Sequence, residues 1–459
     1  MKRLFAALGL IGWALLAWAG EGEVHDYRLD NGLRLLVKED HRAPVVVSQV
    51  WYRVGSSYEH DGITGISHML EHMMFKGTRR HGPGEFSRII AENGGRENAF
   101  TSRDYTVYFQ TLEKHRLPIA FELEADRMRN LLLDPGEFRK EQQVVIEERR
   151  MRTEDRPEAL TYEHFAAVAF LNSPYRHPVI GWMDDVSRLT VEDLRAWYRK
   201  WYAPNNATVV VAGDVDPEAV YELAEKWFGP LRPEQIVPPK PRHEVRQLGE
   251  RRLTVRLPAE VPYLVMGYKV PCLRTAEDPR EAYALEVLAG ILDGGDAARL
   301  SRDLVRGRAL AASAGAGYDL YARQQTLFLL EGNPARHHDL DELERALRAE
   351  VRRLRDERVA PRELQRVKAQ VVADHVYEDD SVFYQAMKLG QLVSIGLDWR
   401  LADEYVPRIR AITARDVQRV ARKYLVSRHL TVARLVPLPM DAAARARLRR
   451  ARRGGDHVR

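Results

Sequence analysis

Thr190-Val-Glu-Asp-Leu194, followed by Trp201-Tyr-Ala-Pro-Asn-Asn-Ala-Thr-Val-Val210, returns without a gap 223 residues later as Thr413-Ala-Arg-Asp-Val417 and Tyr424-Leu-Val-Ser-Arg-His-Leu-Thr-Val-Ala433. Both copies read as a helix delivering the chain into a strand. Asp134-Pro-Gly-Glu-Phe138 parallels Ala360-Pro-Arg-Glu-Leu364 at an offset of 226, and each opens a helix with an early proline. Two matches in the same order at nearly one offset point to duplicated domains of about 210 residues. Elsewhere β-rich runs (Val45 to Val54, Tyr105 to Thr111, Ala207 to Ala212) alternate with helical patterns (Gly65 to Phe75, Leu117 to Leu133, Pro135 to Arg152, Val191 to Trp201). The fold class expected is α+β, two homologous α/β domains with mixed sheets packed against helices. The proline-rich stretch Pro230 to Pro241 is the natural linker. The expected boundaries are 20–235 for the first domain, 236–245 for the linker and 246–440 for the second domain.

The ends of the chain account for its charge. The 459 residues carry a formal +5, but residues 441–459 alone hold seven arginines against two aspartates, also +5. Residues 20–440, with 62 basic and 64 acidic side chains, sum to −2. A body this close to neutral, without a basic stripe, argues against nucleic-acid binding. In the Arg-rich tail 441–459, the run Ala442 to Arg453 can extend a terminal helix or fray into a solvated charge run, and the solvated run is the expectation. Residues 1–19 read as a signal peptide: Lys2-Arg3, an apolar Leu4 to Leu16, and Ala17-Trp18-Ala19 as a small-x-small cleavage site. The implied localisation is exported, periplasmic or secreted, with no stable membrane insertion after cleavage. The single cysteine, Cys272, excludes an intrachain disulfide and reads as a buried thiol.

The most chemical five residues are His68-Met-Leu-Glu-His72. On a helix, positions four apart share a face, so both imidazoles can converge on one metal ion with Glu71 beside them. Zinc needs a third protein ligand, and a carboxylate on a second helix is the natural source. Glu141 and Glu148 are seven apart, two helical turns, and share a face with or beside Val144 and Val145.

With these residues in place, the sequence resembles the pitrilysin/insulinase family of zinc metallopeptidases, in its half-length branch, which includes mitochondrial processing peptidase. The resemblance rests on His68-x-x-Glu71-His72, on Phe75-Lys-Gly-Thr78, and on Glu148 lying 76 residues beyond His72. Asn98-Ala-Phe-Thr-Ser-Arg-Asp-Tyr105 and Tyr202-Ala-Pro-Asn-Asn-Ala207 also look like the family's. It implies that His68, His72 and Glu148 bind Zn2+, that Glu71 is the general base, and that Glu141 supports catalysis without touching the metal. Asn98, Ala99, Phe100 and Thr101 would form an edge strand that receives substrate backbone.

At the repeat offset, the helix expected to correspond to the histidine helix covers Gly294 to Leu300 and has no histidine, and Asp374 stands opposite Glu148. Active family members usually carry in the second half an arginine and, seven residues on, a tyrosine that hold substrate and oxyanion. Here Val305 and Ala312 occupy those places; Arg306 and Arg308 are out of register and Tyr318 is six residues late. Loss of such a donor costs about 10²–10³ in rate. The expected function is therefore an exported zinc endopeptidase subunit acting on peptides or unfolded segments. Its expected partner is a homologous subunit that lacks the zinc motif and supplies the missing pair. The alternative is a non-catalytic assembly or binding subunit that retains the fold.

Overall fold

The computed structural model describes residues 22–455 except 241; the expected signal segment 1–19 lies outside the described residues. The first half runs β1 (Val24–Arg28), β2 (Arg34–Glu39), β3 (Val45–Tyr52), α1 (Ile66–Met73), α2 (Glu85–Glu92), β4 (Arg96–Thr101), β5 (Thr106–Glu113), α3 (Leu117–Asn130) and α4 (Pro135–Arg149). It closes with α5 (Pro157–Ala169), α6 (Met183–Arg188), α7 (Val191–Trp201), β6 (Ala207–Gly213) and α8 (Pro217–Trp227). The second half runs β7 (Arg251–Pro258), β8 (Tyr263–Val270), α9 (Pro279–Asp293), β9 (Ala311–Gly317), β10 (Thr326–Pro334), α10 (Leu340–Asp356) and α11 (Pro361–Asp379). It ends with α12 (Val382–Ser394), α13 (Leu401–Ala411), α14 (Ala414–Tyr424), β11 (Leu430–Leu438) and α15 (Ala442–Gly455).

Each half builds one mixed sheet, in the orders β1-β2-β6-β3-β5-β4 and β7-β11-β8-β10-β9. The β2–β6 and β7–β11 pairs are parallel and the remaining pairs antiparallel. From β2 onward the two orders are the same, so the sequence repeat is a repeat of topology. Its local cause is visible at α7 and α14. Thr190 with Asp193, and Thr413 with Asp416, each close a capping box that starts the helix and aims the chain at β6 or β11.

The offset between halves is not constant. The helix standing in α1's place is α9, and Gly294 to Arg299 form the turn after it; the expected counterpart at Gly294 to Leu300 is thus corrected. A fixed offset fails there because α9 has 15 residues where α1 has 8. Histidine is absent from α9 as well.

The halves interlock. On one face of the first sheet, Leu36, Val47, Trp51 and Val210 pack against Ala386, Leu389 and Val393 of α12, which belongs to the second half. Reciprocally, Phe165 and Ala169 of α5 cover Val265, Leu327 and Ala433 of the second sheet. With both faces covered, β6 is buried from end to end and reads as a continuous apolar run. At Gly390 the helix approaches so closely that an added Cβ would lie 2.1 Å from the Trp51 ring.

Behind α1 lies a fully buried ion pair, Arg127 with Glu124, in which Arg127 Nε donates to Glu124 Oε2 at 2.8 Å. The guanidinium stacks on Phe75, Phe86 and Tyr108. Arg127→Leu leaves a buried carboxylate uncompensated and is expected to cost about 3–5 kcal/mol. Denaturant unfolding checks this; a change under 1 kcal/mol would show that Glu124 is neutral or hydrated.

Candidate functional site

The helix that carries the two histidines is held by carboxylates from outside it. Its N-cap, Gly65, has φ 86° and offers no side chain for capping. Glu59 substitutes: its Oε2 accepts from Gly65 N at 2.7 Å and its Oε1 from Ser67 N at 2.9 Å. Burial pushes the Glu59 carboxyl up to about 7, against those two hydrogen bonds. Asp185 Oδ2 accepts from Thr64 Oγ1 at 2.6 Å and fixes the preceding loop. Neither residue was singled out from the sequence; an acid six residues before a helix that starts on glycine is the signal that would have found Glu59.

α1 brings His68 and His72 together with ring centroids 4.7 Å apart. α4, capped by Asp134 on the amides of Gly136 and Glu137, presents Glu141 and Glu148. Glu148 Oε2 lies 3.6 Å from His68 Nε2 and 3.3 Å from His72 Nε2. One ligand atom from each of His68, His72 and Glu148 falls within 4.8 Å of the others. Tetrahedral ligands at about 2.0–2.1 Å from zinc sit roughly 3.3–3.4 Å apart, so the spacing fits a zinc-sized cation.

The electrostatics fit it too. Burial pushes His68 down to about 4. Burial alone would also lower His72, but its hydrogen bonds to Glu141 and Glu148 outweigh that and lift it to about 9. Glu148 is buried as well, yet the His72 hydrogen bond and the charges of His68, His72 and Arg152 hold it near about 2. The cluster keeps a carboxylate ionised among buried groups and draws a positive charge to it.

Glu141 stands one step back. Its Oε1 meets His72 Nδ1 at 2.9 Å and its Oε2 accepts from Lys76 Nζ at 2.6 Å. It therefore fixes the ring and leaves His72 Nε2 to face Glu148, which makes it a positioning residue. His68 Nδ1 is buried with no hydrogen-bond partner, so only one of the two rings is braced this way. Directly after α4 the backbone widens into a π-type turn, Arg150–Glu154, with Asp155 N donating to Arg150 O. There Arg152 Nη1 reaches Glu148 Oε1 at 3.0 Å.

Glu71 points to the same place and is mostly buried, which raises its pKa; a hydrogen bond from Thr101 Oγ1 to Oε2, 2.6 Å, partly offsets the rise. Thr101 thus holds a second role that its place in an edge strand did not suggest. β4, bearing Asn98, Ala99, Phe100 and Thr101, is the edge of its sheet, and these residues line one cleft with His68, Glu71, His72, Glu141 and Glu148. The cleft measures about 1670 Å³. Val145 is buried, whereas Val144 is half exposed and lines the cleft.

The second half faces the cleft with Tyr263, Ser313, Gly315, Glu331 and Asn333. None of these emerged from the sequence, because they arrive from three strands. Tyr263 Oη donates to Glu331. Val305 packs into the core of the second half, Arg306 bonds to Asp296 O, and Tyr318 Oη donates to Pro271 O at 2.7 Å. Arg306, Arg308 and Tyr318 are absent from the cleft lining. Cys272 is buried, its thiol donating to Ala322 O at 3.0 Å.

Comparison with known proteins agrees with this geometry. Residues 34–181 match the family model "Insulinase (Peptidase family M16)" and residues 188–371 match "Peptidase M16 inactive domain". The chain is 32% identical over 414 residues to Zinc protease PqqE of Helicobacter pylori, covering 89% of this chain and 92% of that one. It is 26% identical to Uncharacterized zinc protease YmxG of Bacillus subtilis, covering 86% and 94%. The crystal structure of a protease from Helicobacter pylori superimposes with a TM-score of 0.87 at 30% identity, over 91% of this chain and 100% of that one. The periplasmic protease PqqL from Escherichia coli shares the fold, with a TM-score of 0.74 at 19% identity; 93% of this chain covers 50% of it. A duplicated pair of mixed sheets, a histidine helix braced against a glutamate helix, and relatives that match over nearly their whole length place this chain in the insulinase family, M16, of peptidases.

Proposed function

We propose that the chain is a zinc-dependent endopeptidase, exported to the periplasm or secreted, that works as the zinc-carrying subunit of a pair. The observation that carries this is the convergence of His68, His72 and Glu148 on one point, with Glu71 beside it on the wall of a cleft. His68 Nε2, His72 Nε2 and Glu148 Oε2 would hold the zinc. When bound there, zinc supplies Lewis acidity toward a peptide carbonyl and toward water. Glu71, with Oε2 held by Thr101, accepts at Oε1 the proton of the attacking water as the new C–O bond forms. It then delivers that proton to the amine nitrogen as the C–N bond breaks. Burial favours this role by raising the Glu71 pKa, against the Thr101 hydrogen bond. The unpaired edge of β4 aligns the substrate backbone by strand addition.

The partner follows from what the second half does not bring. Val305 and Ala312 stand where an arginine and a tyrosine would hold the carbonyl oxygen, and neither Arg306, Arg308 nor Tyr318 lines the cleft in their place. PqqL, twice the length this chain matches, supports an arrangement in which two such units work together. The test is peptide hydrolysis by the zinc-loaded chain, alone and mixed with a homologous chain that carries the pair and lacks the histidines. The expected result is a gain of about 10²–10³ on mixing. Full activity alone would remove the partner. Zinc bound without hydrolysis in either case would favour the non-catalytic assembly or binding subunit, for which the match of the second half to an inactive domain is the supporting observation.

A further inference from the structure

The turn at residues 102–105 joins β4, the sheet edge that lines the cleft, to β5, and Ser102 N closes it on Tyr105 O at 2.8 Å. Residues 56 and 57 lie against it: Ser56 N donates to Ser102 O at 3.2 Å and Ser57 N to Arg103 O at 2.7 Å. One side chain of the second half holds both segments. Arg323, in the loop between β9 and β10, donates from Nε to Asp104 Oδ1 at 3.1 Å and from Nη2 to Ser57 Oγ at 2.7 Å. Its backbone N donates to Asp104 Oδ2 at 3.0 Å, and its guanidinium lies over Tyr58, 4.3 Å from the ring centroid. Asp104 is buried and also accepts from Ser57 Oγ at 2.8 Å and from Tyr175 Oη. Arg323 is absent from the cleft lining, so what it does for the site it does through these residues.

We propose that Arg323 is a positioning residue, reaching across from the second half to fix the β4 edge in the place where a peptide adds to it; this rests on the peptidase reading above. Two short routes lead from the guanidinium to the site. Along one, Asp104 stands three residues from Thr101, whose Oγ1 holds Glu71 Oε2 at 2.6 Å. Along the other, Ser57 stands two residues from Glu59, whose carboxylate caps the histidine helix. An edge strand is held by a neighbour on one side only, here β5, so its alignment depends on how its end is tied down. A planar fork that meets two segments at once fixes their spacing, which the point charge of a lysine cannot do. The convergent ligand set lies wholly in the first half, and the Arg323 contacts give the second half a part in the same site.

The test uses short and long forms of one fluorescent peptide, bound by the full zinc-loaded chain in a Glu71→Gln background so that neither is consumed. Strand addition gains main-chain hydrogen bonds with length, so the long form should bind more tightly. In Arg323→Gln and Arg323→Lys that advantage should shrink about 3–10-fold, the worth of one or two hydrogen bonds, while the short form and zinc are bound as before. Arg323→Lys keeps a charge beside Asp104 and covers the case in which Arg323→Gln fails to fold. Amide hydrogen exchange across Arg96–Thr101 should quicken in both variants, with the helices of both halves unchanged. An undiminished length advantage with unchanged β4 exchange overturns the proposal. So does an equal loss for both peptide forms, or faster exchange throughout the chain, since either makes Arg323 a plain joint between the halves. The expected binding with no hydrolysis by the Glu71-bearing chain, alone or with its partner, overturns the peptidase reading alone. No binding of either form overturns strand addition and the proposal with it.

Discussion

Glu71→Gln is expected to bind zinc with the stoichiometry of the unaltered chain and to lose about 10²–10⁴-fold in kcat. Glutamine is isosteric, and its carbonyl oxygen can still accept from Thr101 Oγ1, which now holds Glu71 Oε2 at 2.6 Å. None of the residues that converge on the cation point is disturbed. What disappears is the ability to take a proton from water and return it to the leaving amine. A loss of that size corresponds to about 3–5 kcal/mol of transition-state stabilisation. The measurement is hydrolysis of a quenched peptide by the assembled enzyme, with zinc determined on the same sample. Turnover within tenfold of the original, with zinc retained, would remove Glu71 from the base role.

Glu148→Gln is expected to lose zinc altogether under dialysis against a chelator that leaves the original chain loaded. Glu148 is the single anionic member of the convergent set, and its carboxylate is held near about 2 by the His72 hydrogen bond and by His68, His72 and Arg152, against burial. A neutral amide supplies neither the charge nor an equal donor atom. Glu141→Gln is the graded control. It touches His72 Nδ1 at 2.9 Å and not the cation point, so a weakening of only about 10–100-fold in zinc affinity is expected. Competition with a chromophoric chelator measures both. Equal weakening by the two substitutions would mean that Glu141 is itself a ligand. Zinc retention by Glu148→Gln would mean that the metal lies elsewhere.

Much of this site is local in the chain and so legible in it. Two histidines four apart must share a helical face, and Glu141 and Glu148, seven apart, must share another. What made them one site is the packing of α1 against α4, in which the ligand atoms fall within 4.8 Å. Glu59 and Asp185 escaped notice because they act on backbone amides of a loop, and such contacts leave no periodic trace. Tyr263, Glu331 and Asn333 escaped because three separate strands deliver them to the cleft.

The tail shows the limit from the other side. Its composition left a terminal helix and a solvated charge run both open and favoured the second, since seven arginines in nineteen residues have no core of their own. Leu448 and Ala451 are too few to announce an amphipathic helix, yet they suffice once the π-type turn after Glu148 gives them a surface to cover.

By itself the sequence determined the duplication, because capping threonines and β-branched runs recur wherever the same helix must feed the same strand. It placed His68 with His72 on one helical face and Glu141 with Glu148 on another as well, because i,i+4 and i,i+7 spacings are fixed by helix geometry. Only the tertiary structure decided that each half lends a helix to the other's sheet, that the second half walls the cleft with Tyr263, Glu331 and Asn333, and that Ala451 of the Arg-rich end is part of that wall. Those arrangements depend on which buried surfaces meet across more than two hundred residues, and no spacing along the chain encodes that.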